Sequence, residues 1–221
     1  DRSHFGSSVS DSGVENSMPI VSMDVALLGA GQVDVAAGKY GTAMVFFVYM
    51  VAGSILMATY VWGITTLANE YGKDGPSMLW GRIADHRRLQ HLYYGSIAAA
   101  TVGFFPSLAY AFRIAPELSK PMVNKICGAL FIFYVTEYAW LPMCVAYIKK
   151  PSQQLFLAIR IQLAISGLFL LIWAYFKLIA VPSEVTGKVN GCFRFIAYLG
   201  TLAFALHCAI LDAIVWPPYF E

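Results

Sequence analysis

Read for hydrophobic and polar positions alone, the chain divides into five long apolar runs separated by short polar connectors. The runs are Thr42–Leu67, His91–Phe112, Ile126–Ile148, Leu155–Lys177 and Arg194–Trp216. Each is about the 20 residues that an α-helix needs to cross a hydrocarbon core roughly 30 Å thick. None shows the alternation of a half-buried strand, and a helix satisfies its own backbone hydrogen bonds in lipid. The pattern predicts an all-α polytopic transmembrane bundle of about five spans over 42–221. An irregular polar N-terminal arm, extended or disordered, is expected over 1–41, where DRSHFGSSVSDSGVENS is rich in Ser, Gly and acids. A GxG within that arm lacks the third glycine and the strand–turn–helix setting of a dinucleotide site.

Composition supports this reading. Of 221 residues, 58% are hydrophobic and 13% charged, with a mean hydropathy of +0.62. About 25% charged residues is usual for a soluble domain. The net charge of +2 does not suggest a nucleic-acid partner. The four cysteines at 127, 144, 192 and 208 have no metal-ligand spacing and read as small apolar residues. Basic residues fall seven to each side of the membrane, so the positive-inside rule assigns no orientation. The chain opens at Asp1, as expected of a processed or trimmed product.

The connectors add two features. Between spans 1 and 2, GRIADHRRLQH places Arg82, Arg87 and Arg88 in an interfacial basic cluster, on what reads as a short amphipathic helix at the membrane surface. In span 2, Gly95, Ala99 and Gly103 recur every four residues. Such a smooth stripe lets another helix approach closely, so partner membrane subunits are expected on this face and through the arm, with lipids elsewhere.

Ionisable residues inside a span cost about 2.5–3.5 kcal/mol each on insertion scales, which makes them candidates for function. Glu137 sits at the middle of the third run. His207 lies about 3 Å from the middle of the fifth, at the depth of Glu137. That pair is expected to form an intramembrane polar tie or a proton site. Arg160 and Asp212 are displaced about 9 and 10 Å from their midpoints toward one face, which predicts an interhelical ion pair. His207 and Asp212, about 140° apart on an ideal α-helix, are not expected to share a face. A third reading of the histidines is cofactor binding, with His207 or His91 as axial ligand to haem or chlorophyll. Their different depths rule out a two-histidine haem. On the fourth run, Gln162, Ser166 and Trp173 form a weaker polar stripe of the kind that glues helices together.

No catalytic constellation is present: the four histidines are scattered, HExxH does not occur, and the last run lacks the mid-span lysine of a retinal protein. The expected function is therefore a non-catalytic accessory or structural subunit of a larger membrane complex. An energy-converting one, respiratory or photosynthetic, in a mitochondrial or thylakoid inner membrane is the first choice. The alternative is a small ion- or proton-coupled transporter or channel using Glu137 and His207, and the next is a pigment- or haem-binding subunit.

Overall fold

A computed structural model describes residues 37–220, and among these there is no strand. Five helices are long and apolar enough to cross a membrane. They form an all-α bundle: α1 (37–71), α2 (Arg87–Ile114), α3 (Lys120–Lys149), α4 (Gln153–Leu178) and α5 (Gly191–Val215). The protein is thus a multi-pass membrane protein. Helix α1 is already formed at residue 37, five residues ahead of the expected span. The rest of the arm, 1–36, lies outside the described residues.

Local chemistry explains where the helices start and stop. Gly72 takes φ 77°, a left-handed conformation that ends α1. The Ser152 hydroxyl caps α4 by accepting from the Leu155 amide at 3.2 Å. Asn190 caps α5 twice over, accepting from the amides of Cys192 and Phe193 at 3.0 and 3.2 Å. Pro106 and Pro142 both lie inside continuous helices.

Two stretches are π-helical rather than α-helical: Phe46–Ala52 within α1 and His207–Val215 at the end of α5. Each widens the helix and rotates the residues that follow.

Along the bundle α2 packs on α5, and α3 packs on α4. The first crossing is close because Gly103 faces Gly200. A Cβ on Gly200 would come within 2.0 Å of the Gly103 carbonyl oxygen. Aromatic rings fill the middle of the bundle, where Phe204 of α5 packs against Phe104, Phe133 and Trp173 at centroid distances of 5.6, 5.6 and 6.1 Å.

The connector Gly72–Asp85 is a run of 3-10 turns broken at Gly81, and the amphipathic helix expected there begins only at Arg87, as the first turn of α2. The turn Pro217–Phe220 folds onto this connector. Trp216 stacks on Phe220 at 4.1 Å and donates its indole N–H to the Leu79 carbonyl at 2.9 Å.

Candidate functional site

The polar residues inside the bundle collect at two levels, one on either side of the aromatic layer around Phe204. At the first level, Glu137 of α3 is 6% exposed. Its Oε1 accepts from the Ser166 hydroxyl at 2.5 Å and from the Gln162 amide Nε2 at 3.2 Å. Both donors stand on one face of α4, four residues apart, so the weak stripe expected to glue helices binds the mid-membrane acid. The expected partner of Glu137, His207, is not among its hydrogen-bond partners.

His207 turns instead toward α2 and toward its own helix. Its Nδ1 lies 3.0 Å from the Ser96 hydroxyl, and its Nε2 lies 3.5 Å from the Asp212 carboxylate. The π-helical geometry causes this. Residues five apart stand nearly above one another when the hydrogen bonds run i to i+5, whereas an α-helix separates them by more than a third of a turn. Asp212 is thereby committed to His207, with Cys208 beside it and Glu137 within electrostatic reach. Tyr93 of α2 closes the level by donating its hydroxyl to the Leu211 carbonyl, a group within the π-helical stretch.

The expected ion pair between Arg160 and Asp212 does not form. Arg160 is exposed on α4, with its guanidinium 5.8 Å from the Phe156 ring centroid. The long side chain reaches the interface more cheaply than it crosses the bundle. His91 is exposed, its Nε2 accepting from Arg87 Nε at 3.4 Å. The Nδ1 of His207 faces Ser96 and its Nε2 faces Asp212. Among the described residues no cluster of His, Cys, Asp or Glu is suited to a metal.

The second level is one that sequence reasoning missed. Lys177, placed among the surface charges by its position at the end of the fourth run, is 0% exposed. Its ammonium donates to the Ser107 carbonyl at 2.7 Å and to the Ser107 hydroxyl at 2.5 Å, and that hydroxyl pairs with Thr201 at 2.8 Å. Trp173, Tyr49 and Tyr110 surround it, with ring centroids 4.6, 5.6 and 6.0 Å away. Trp173 in turn donates to the Tyr49 hydroxyl at 3.0 Å. Ring faces carry the negative end of the quadrupole, so this cage replaces a carboxylate partner. The signal lay in Trp173 and Lys177 at i, i+4, which put a ring against the lysine stem. Snorkelling is the ordinary fate of such a lysine, and it masked the signal.

Toward the surface, the basic cluster does not act as a unit. Arg82 donates to the Pro218 carbonyl at 2.8 Å, Arg87 bonds His91, and Arg88 is exposed. The smooth stripe on α2 divides. Gly103 is consumed by Gly200 inside the bundle, whereas a Cβ on Gly95 would meet nothing within 4 Å, and Ala99 is exposed.

Together these features define a polytopic helical membrane protein whose interior polar groups tie α2 to α5 and α3 to α4. No family model, curated protein or solved structure matches the chain.

Proposed function

We propose that the protein is a non-catalytic multi-pass subunit of a larger membrane assembly, of the energy-converting kind found in organelle inner membranes. The observation that carries this reading is the divided stripe on α2. Its Gly103 end makes a close helix crossing within the bundle, and its Gly95 and Ala99 end presents the same small-residue surface outward. In a bilayer, where apolar helices gain nothing by leaving lipid, small residues that let backbones approach are a main driver of helix association. The interior also favours this reading. Glu137, His207, Asp212 and Lys177 are each engaged by neighbouring side chains, an arrangement that holds helices in register. The aromatic and methionine content of the chain, 15 Phe, 13 Tyr and 8 Met, suits packing against protein, lipid or pigment.

The test is the mass and absorption spectrum of the native particle extracted in mild detergent. The expected result is a particle several times the 24.3 kDa of this chain. Replacing Gly95 and Ala99 together by Leu is expected to release the chain as a folded monomer. A wild-type monomer that moves a solute in liposomes overturns the reading.

A further inference from the structure

The geometry points to a binding site for a small monovalent cation of the sodium class, formed by the Glu137 carboxylate, the Gln162 carboxamide oxygen and the Ser166 hydroxyl. All three residues are more than nine-tenths buried, at 6%, 8% and 1% exposure. Gln162, through its Nε2, and Ser166, through its hydroxyl, both converge on one oxygen near mid-membrane, Glu137 Oε1.

Two details make this more than a hydrogen-bonded tie. Gln162 Oε1 is buried with no hydrogen-bond partner. An orphaned carboxamide oxygen in a dry interior is costly, and a cation beside it would supply the missing partner. A half-turn of the amide, which exchanges two groups of equal shape, brings this oxygen to the position 3.2 Å from Glu137 now held by Nε2. The second detail is that Ser166 has a second acceptor. Its hydroxyl lies 3.2 Å from the Leu163 carbonyl as well as 2.5 Å from Glu137. With its proton directed to Leu163, Ser166 Oγ offers a lone pair toward Glu137. The site then presents three hard oxygen donors, one ionised, one carbonyl and one hydroxyl, a set that suits a hard cation and not a soft one.

Charge selects the valence. A bare carboxylate near mid-membrane is costly, and a monovalent ion cancels its charge. A divalent ion would leave a net positive charge at a site that holds a single carboxylate, since Asp212 is turned toward His207, 3.5 Å away. The site is independent of the assembly proposed above, since it needs only α3 and α4 of this chain.

The experiment is thermal unfolding of the full-length protein in detergent, in sodium chloride against choline chloride at equal ionic strength. At a sodium concentration ten times the dissociation constant, the melting temperature is expected to rise by about 3–5 °C. The Glu137→Gln variant keeps an acceptor for Ser166 and carries no charge, and its rise is expected to vanish. The Gln162→Leu variant is expected to need at least about ten times more sodium for the same rise. Equal melting in the two salts overturns the site, as does an equal sodium effect in wild type and Glu137→Gln. If either variant fails to fold, the wild type decides through carbodiimide labelling of Glu137, read by peptide mass. Protection by sodium but not by choline supports the site; equal labelling in both salts, or none at all in choline, overturns it.

Discussion

Lys177 shows how a single side chain can be held in the interior without an acid. Its ammonium donates twice to Ser107 and lies against three ring faces. Removing one charge from water costs several kcal/mol, and the cage returns roughly 0.5–2 kcal/mol for each well-placed ring. Lys177→Met therefore removes the ammonium together with the interactions that balance it. The melting temperature in detergent is expected to stay within about 3 °C of wild type, since Ser107 retains Thr201 as a partner. Lys177→Glu sets a carboxylate against the negative faces of the same rings and is expected to lose the folded state, read as aggregation on size exclusion. At this scale the sequence was informative about Glu137, because a lone acid in the middle of an apolar run has few alternatives to burial. It was uninformative about Lys177, since a lysine at a span end is compatible with either the surface or the interior.

The elements themselves were legible: five apolar runs became five helices, each within a few residues of its expected bounds. Their rotations were not, and the π-helical stretch in α5 is the reason. It set His207 and Asp212 together, against the 100° per residue of an ideal helix, and so removed the acid from Arg160 and the histidine from Glu137. Nothing in the composition of HCAILDAIV announces an i to i+5 ladder. Deleting Ile210 should return this stretch to α-helical geometry with Asp212 four residues after His207, about 40° away on the same face. Loss of amide protection in this segment without loss of the pairing is the expected outcome of hydrogen exchange. The glycine stripe gives a sharper prediction. Gly200→Ala drives a methyl into the Gly103 backbone and is expected to cost about 1–3 kcal/mol of stability. Gly95→Ala meets nothing within 4 Å and is expected to be neutral or to stabilise by up to about 1 kcal/mol. Thermal unfolding of the two variants side by side checks both values, and a larger loss from Gly95→Ala would refute the assignment of inner and outer faces.

Across the whole molecule, polar chemistry is split between an acidic level at Glu137, His207 and Asp212 and a basic level at Lys177, with the rings around Phe204 between them. Sequence reading placed Glu137 and His207 at a common depth, and so approached the acidic level. The division itself emerges only when the helices are turned and packed. The end of the bundle was the least legible, because nothing in the hydrophobic pattern beyond Trp216 signals that Pro217–Phe220 folds back as a lid over the connector Gly72–Asp85. Trp216→Ala removes the stack on Phe220 and the bond to Leu79. It is expected to cost about 3–5 kcal/mol and to speed amide exchange over Gly72–Asp85.

That lid bears on the order in which the chain is made. Gly81 takes φ 49°, with no room for a Cβ beside the Tyr219 carbonyl, and Arg82 and Leu79 bond residues about 136 positions downstream. The connector that emerges from the ribosome after the first span thus waits, through the synthesis of four more helices, for the residues that complete it. Insertion of α1 and α2 can proceed on hydrophobicity alone, but their surface loop reaches its final form only after translation has passed residue 220. A ribosome paused between the end of α5 and that point would hold five helices and an open end.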